Sequence, residues 1–407
     1  MATGRFLLLI SALLSSAGVS LPAGAWAQVL SGLDVLVKNQ FQELQGKRIG
    51  LITNQTGKTK DGRSAALAFS QAPGVELAAL FSPEHGFTGA IEDGAVSSDT
   101  LRLSKGKIVP IHSLYGSTKA PTPEMLSGLD ALVFDIQDVG ARFYTYATTM
   151  GMALESAASA HIDFYVLDRP NPIRGDITEG LVLSTGIRHF TAYFSIPVRH
   201  GLTMGEIARF YNLDATLGAN LHVAPLRGWR REMWYEDTKL PWTKPSPNMP
   251  DVEAAALYPG IGCFESTNIS VGRGTPIPFR WIGAPWMDAG RIVKRLKKAG
   301  LPGARFSTKT YTPEKSVFKG IKSKGIRIRV KDRDKIRSLS IFAHLACALR
   351  DIHPDKFEIR WMELRRMVGS DRFQELYLSG ADPQAIIRRF EEESQRFQNA
   401  RGSFLLY

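Results

Sequence analysis

The sequence predicts an α/β protein in which a mostly parallel sheet domain precedes a second, smaller C-terminal α/β domain. Three observations lead there. Apolar, β-rich runs alternate with amphipathic helical stretches through the first half of the 407-residue chain, the order that parallel βαβ units require. Runs such as ALVFDI at 131–136 and FYVLD at 164–168 are apolar without alternation, as strands covered on both faces are. The length exceeds what one hydrophobic core usually holds, and a proline-rich passage from Pro241 to Pro250 divides the chain.

The first 27 residues read as a secretory signal, since Arg5 precedes the apolar run Phe6–Leu14 and Ala25-Trp26-Ala27 offers a cleavage site before Gln28. No cysteine adjoins that site, which argues against a lipid anchor. No later stretch approaches the roughly 18 apolar residues of a membrane span. The expected location is the bacterial periplasm. Strands are expected at Arg48–Thr53, Val75–Phe81, Ala131–Ile136 and Phe164–Leu167, and helices at Ala65–Ala72, Pro123–Gly128 and Ala147–Ala160. The proline-rich passage reads as a structured connection, because proline fixes its own φ and pushes the preceding residue extended. The boundary falls there, giving domains at 28–248 and 249–407. The second carries helices at Ala289–Ala299, Leu339–Ile352 and Asp382–Asn399 and a strand at Ile326–Val330.

A composition of 44% hydrophobic and 22% charged residues excludes disordered and fibrous classes. Two cysteines, Cys263 and Cys347, are too few for a disulfide scaffold and are expected as buried thiols. The net charge of +12 is concentrated, with seventeen Lys or Arg against four Asp or Glu between 288 and 337. In an exported chain such a stripe meets anionic envelope polymers and no nucleic acid, and a solvated basic face explains it equally well.

Ligands of open parallel sheets bind beyond the carboxyl ends of the strands. The residues there are Asn54-Gln-Thr-Gly57, then Ser82-Pro-Glu-His-Gly86, then Asp135-Ile-Gln-Asp138 with Arg142-Phe-Tyr-Thr-Tyr146, and last Asp168-Arg-Pro-Asn171. Any one set is ordinary turn chemistry. Four in succession predict a polar cleft containing Asn54, Glu84, His85, Asp135, Gln137, Arg142, Tyr144, Tyr146, Arg169 and Asn171. Glu84 stands out, because neither a turn nor a helix cap calls for glutamate between Pro83 and His85; the bland alternative is a salt bridge. Asp135 ends an apolar strand, where a carboxylate needs a partner such as Arg142 or Arg169. Tyr144 and Tyr146 alternate with Phe143 and Thr145, which places both on one face, for stacking on a sugar or for core packing.

A second constellation, ESTNISVGRGT at 265–275, is too polar and glycine-rich for a plain connector. Gly272 and Gly274 would let the backbone approach a ligand, and Arg273 would offer a fork to a carboxylate, with Glu265 and Asn268 in the same loop. His200, Asn248, Trp242, Trp281 and Trp286 are weaker candidates. Other chemistries fail on the letters. Gly57-Lys58-Thr59 imitates the end of a phosphate loop, but position 52 is Ile where Gly is required. No G-x-S-x-G, H-E-x-x-H or G-x-G-x-x-G occurs where it is needed, and Ser104-x-x-Lys107 lacks its K-T-G partner. The eight histidines show no ligand spacing, so neither metal nor cofactor is expected.

Together the motifs resemble those of the NamZ-type exo-β-N-acetylmuramidases, long catalogued as a domain of unknown function. The resemblance runs from about Leu33 to Tyr407. It rests on Gly32-Leu-Asp34, Gly50-Leu-Ile-Thr-Asn54, Phe81-Ser-Pro-Glu-His-Gly86, Phe134-Asp-Ile-Gln-Asp-Val-Gly140, Arg142–Tyr146, Leu167-Asp-Arg-Pro-Asn-Pro172, Glu265–Ser270 and Gly272-Arg-Gly-Thr275. It implies a Rossmann-like catalytic domain with a smaller C-terminal α/β domain. It also implies removal of N-acetylmuramic acid from the non-reducing ends of peptidoglycan fragments, with Glu84 at the family's proposed catalytic position. Ser266 departs from the glycine usual there.

Glycoside cleavage needs a carboxylic acid to protonate the leaving oxygen, and a partly dehydrated turn would favour the protonated form of Glu84. The second group would be Asp135, Glu265 or the substrate's own 2-acetamido oxygen. Muramic acid carries a lactyl carboxylate, for which Arg273, Arg142 and Arg169 are the candidates in that order. The reading from another class is a non-catalytic binder of wall sugars or anionic envelope polymer. The sequence leaves the oligomeric state open.

Overall fold

The computed structural model describes residues 28–92, 94–103 and 106–407, so the expected export signal lies outside the described residues. In chain order the strands are β1 (Arg48–Thr53), β2 (Glu76–Ser82), β3 (Asp99–Arg102), β4 (Ile108–Ser113), β5 (Ala131–Asp135), β6 (Asp163–Leu167), β7 (Glu179–Val182), β8 (Pro197–Arg199), β9 (Leu221–Ala224), β10 (Trp281–Ala284), β11 (Ala304–Tyr311) and β12 (Ser323–Val330). The helices are α1 (Gly32–Lys38), α2 (Ala65–Ser70), α3 (Pro123–Leu126), α4 (Thr145–Ser159), α5 (Met204–Asp214), α6 (Val252–Ile261), α7 (Ala289–Ala299), α8 (Ser338–Ile352), α9 (Trp361–Val368), α10 (Arg372–Leu378) and α11 (Pro383–Ala400).

Seven strands form one sheet in the order β3-β4-β2-β1-β5-β6-β9, with only β3 antiparallel to its neighbour. Chain direction across the sheet reverses between β1 and β5, the switch point at which α/β crevices form. β5 is buried along its whole length, which explains its unbroken apolar run. The sheet extends past the four expected strands: β3 and β4 carry exposed positions and β9 is half-buried throughout, so their apolar signal is weak. Several helices start where the sequence supplies caps. In α5 the Thr203 hydroxyl accepts from Glu206 N while the Glu206 carboxylate accepts from Thr203 N, and Ser31 with Asp34 does the same in α1.

The C-terminal part holds the three-stranded antiparallel sheet β10-β12-β11 and helices α7 to α11. One apolar core runs through both parts, from Phe134 and Met150 to Phe342 and Leu345. The chain end returns to the first part, where the Tyr407 hydroxyl donates to Asp168 Oδ2 (2.8 Å) and accepts from Leu226 N (2.7 Å). Cys263 and Cys347 are buried free thiols, and burial pushes Cys263 up to about 12, which makes it inert at neutral pH.

The contact between α6 and α8 is especially close. A Cβ at Gly260 would lie 1.9 Å from the carbonyl oxygen of Ser338, backbone that cannot turn aside. Gly260→Ala should therefore destabilise the protein by about 3 kcal/mol through overpacking, measured as a lower urea midpoint at unchanged slope.

Candidate active site

The strand-end residues meet, but they fill the crevice themselves. Asp135 is fully buried and held bidentately by Arg169, with Nε–Oδ1 2.6 Å and Nη2–Oδ2 2.9 Å. Thr53 Oγ1 donates to Asp135 O, Asn54 Oδ1 accepts from Thr56 N and Oγ1, and Gln137 Nε2 donates to Asp138 O and Pro170 O. The space left there is about 20 Å³. Asn171 ties Leu202 O to Ile173 N, and His200 Nδ1 accepts from Leu202 N. The expected polar cleft is thus corrected for Asn54, Asp135, Gln137, Arg169 and Asn171: the buried carboxylate requires its counter-charge and these side chains bond mainly within the protein, with Asn54 Nδ2, Gln137 Oε1 and Asp138 Oδ1 left buried and unpartnered.

Arg142 is also corrected. It has no solvent exposure and donates to Leu181 O, Ile196 O and Met367 O at 2.8, 2.6 and 2.8 Å. It secures the C-terminal end of α9, where exposed carbonyls and the helix dipole favour a cation. Tyr144 and Tyr146 do not share a strand face, since α4 begins at Thr145 with Tyr144 as its cap residue. The Tyr146 hydroxyl donates to Pro245 O and Tyr144 turns to the cavity described next.

That cavity, of about 300 Å³, lies between the turn after β2, the β5–α4 segment, the proline-rich connection, the 265–279 loop and α9. Of the residues expected at the site it collects Glu84, His85, Tyr144, Glu265 and Arg273. Glu84 leaves β2 in a turn closed by Gly86 N donating to Pro83 O (3.0 Å). His85 has φ 71°, a left-handed value costly for a side chain with a Cβ, and its Nδ1 lies 2.6 Å from Ile91 O. Such a tightly tied turn fixes where Glu84 points.

Among the described residues four carboxylates line the cavity, and their partners differ. Glu265 is paired with Arg273, Glu92 with Lys315 at 2.7 Å and Glu363 with Arg360 at 2.7 Å. Glu84 alone has no cation within ion-pair distance among the described residues; the Thr145 hydroxyl donates to its Oε2. Phe143, Tyr258 and Phe279 build an aromatic wall, edge to face at 5.1 and 4.6 Å. Burial pushes the Tyr144 and Tyr258 phenols above their ordinary range, so both keep their protons.

The second loop is built differently from expectation. A Cβ on Gly274 would sit 2.4 Å from Lys315 N, and one on Gly272 would sit 3.0 Å from Ile277 O. These glycines admit the protein's own backbone and not a ligand. Asn268 bonds Lys356 O and Glu358 N, and Asn248 lies between the lining residues Ser246 and Met249 without lining the cavity itself. Thr145 and Ser246 were within reach of sequence reasoning, because both sit inside segments already marked. His189, Thr191 and Arg366 come from a surface loop and an amphipathic helix, which carry no local signal of a site.

The fold is thus that of an α/β sheet protein whose smaller second part contributes Glu265, Arg273 and α9 to a carboxylate-lined cavity of small-molecule size. Residues 49–253 match the model described as exo-β-N-acetylmuramidase NamZ, N-terminal, and residues 256–407 match its C-terminal counterpart. The chain therefore belongs to the NamZ exo-β-N-acetylmuramidase family. It is 39% identical over 381 residues to the peptidoglycan β-N-acetylmuramidase NamZ of Bacillus subtilis (strain 168), covering 93% of this chain and 92% of that one. Two crystal structures of DUF1343 family proteins from Bacteroides fragilis NCTC 9343 share the fold. One has a TM-score of 0.86 at 35% identity and the other 0.74 at 28%, covering 93% and 94% of this chain and 99% of each of theirs.

Proposed function

We infer that this chain is an exo-β-N-acetylmuramidase that releases N-acetylmuramic acid from the non-reducing ends of peptidoglycan fragments, with Glu84 as the general acid. The observation that carries the role of Glu84 is its isolation: among the described residues, it is the one cavity carboxylate without a counter-charge. As the glycosidic bond breaks, positive charge develops at the anomeric carbon and the departing oxygen must gain a proton. Thr145 holds Oε2 of Glu84, which leaves Oε1 as the atom that carries and delivers that proton. Glu265, steadied by Arg273, is the second carboxylate of the cavity and takes the role of activating water or the substrate's acetamido group. Asp135 has no part in the chemistry, because its two oxygens are occupied by Arg169 outside the cavity.

The aromatic wall supplies an apolar surface for one sugar face. A pocket of about 300 Å³ suits a single terminal residue better than a chain passing through, which supports exo action. The export signal read at residues 1–27 fits this substrate and supports a place in the cell envelope. Among the described residues, no helix is long and apolar enough to cross a membrane.

The test is direct. Purified protein mixed with a chromogenic β-N-acetylmuramic acid glycoside should release the chromophore, and with the disaccharide of N-acetylmuramic acid and N-acetylglucosamine should release free muramic acid sugar. No turnover of either substrate overturns the reading.

A further inference from the structure

We propose that Arg366, with His189 and Lys119 beside it, forms an anion subsite at the rim of the cavity that selects the lactyl carboxylate of N-acetylmuramic acid. The proposal rests on the muramidase reading above and names the group that distinguishes this sugar from N-acetylglucosamine. Of the two arginines lining the cavity, Arg273 is engaged by Glu265, whereas Arg366 has no carboxylate within 4.0 Å among the described residues. Its neighbour on α9, Glu363, is turned to Arg360.

Among the described residues, the side chain within hydrogen-bond reach of the Arg366 guanidinium is the His189 ring, and its tautomer sets which group donates. Thr191 N lies 3.2 Å and Thr191 Oγ1 3.0 Å from His189 Nδ1, and the backbone N–H points at that nitrogen. In the tautomer that lets Nδ1 accept from Thr191 N, the neutral ring carries its proton on Nε2. In the other, Arg366 Nη1–H donates to Nε2; in this one, Nε2–H and the Arg366 guanidinium, whose Nη1 stands 3.4 Å away, are both donors that share no acceptor. A carboxylate oxygen placed there accepts from both. Burial together with the positive charges of Arg366 and Lys119 holds His189 below its ordinary range, in line with a neutral ring among cations. Lys119 is fixed nearby, its Nζ 4.3 Å from the ring centre of Phe190, the residue after His189.

This assignment replaces Arg273, Arg142 and Arg169 as readers of the carboxylate, since each of those is committed to a protein partner. It also gives the C-terminal part a role in specificity, because α9 delivers Arg366 while Arg142 secures the end of that helix.

Calorimetric titration of the full chain with N-acetylmuramic acid and with its lactamide, a neutral analogue of the same shape, tests the subsite. The wild type should prefer the carboxylate by roughly 10- to 100-fold, the range of a charge-assisted hydrogen bond. Arg366→Gln should abolish that preference, Arg366→Lys should keep part of it, and Lys119→Gln should weaken it less than Arg366→Gln. The ratio of the two affinities does not depend on the folded fraction, so a folding defect alone leaves it unmoved. A wild type that cleaves the muramic acid glycoside yet shows no preference, or an Arg366→Gln variant with the wild-type ratio, overturns the subsite and leaves the muramidase reading standing. A wild type that cleaves no such glycoside overturns the reading itself.

Discussion

Replacing Glu84 with Gln should lower kcat/KM on the natural disaccharide by roughly 10²- to 10⁴-fold, the usual worth of a positioned general acid. The amide keeps the size of the side chain and still accepts the hydrogen bond from Thr145, so the turn from Pro83 to Gly86 is undisturbed. What it loses is a proton to give. Substrate binding should change little, because the interaction removed develops only as the bond breaks. Stopped assays on the disaccharide, with affinity for the sugar product measured alongside, separate this outcome from a general loss of the site. An equal fall in affinity and in turnover would point to a binding role.

The second large effect concerns stability. Arg169→Met should destabilise the protein by about 3–5 kcal/mol, because it leaves the Asp135 carboxylate fully buried without its counter-charge. Burial already pushes the Asp135 carboxyl upward and Arg169 is what opposes it. In the variant the folded-state value therefore stands further above the unfolded one. The folded state then binds the extra proton, so the deficit is smallest at acid pH, where the group is neutral in both states, and grows as pH rises through the folded-state value. Adding Asp135→Asn to Arg169→Met should recover much of the loss at neutral pH. Chemical denaturation at several pH values reads both the size and the sign, and a deficit that is independent of pH would contradict the buried-pair account.

The sheet was legible where strands are buried on both faces. β1, β5 and β6 announce themselves as unbroken apolar runs, while β4 contains Pro110 and β9 is half exposed throughout, so pairing and not composition defines them. The candidate site was legible only in part. Glu84 drew notice because turn chemistry has no use for it. Asp135, Arg169, Asn54 and Gln137 drew notice for being polar at strand ends, yet that polarity serves mainly bonds within the protein, and one sequence does not distinguish inward from outward satisfaction. Tyr258, His189 and Arg366 join the cavity from distant segments, a juxtaposition that only the packing of α6 and α9 creates.

The central claim is that Glu84 protonates the departing oxygen, and a leaving-group series tests it most directly. Aryl β-N-acetylmuramic acid glycosides of graded phenol acidity would be turned over by the wild type and by Glu84→Ala. A proton donor matters most when the leaving group is poor, so the variant should lose roughly 10²- to 10⁴-fold on weakly acidic phenols and little on a dinitrophenyl glycoside. A loss of the same size across the whole series would contradict the account.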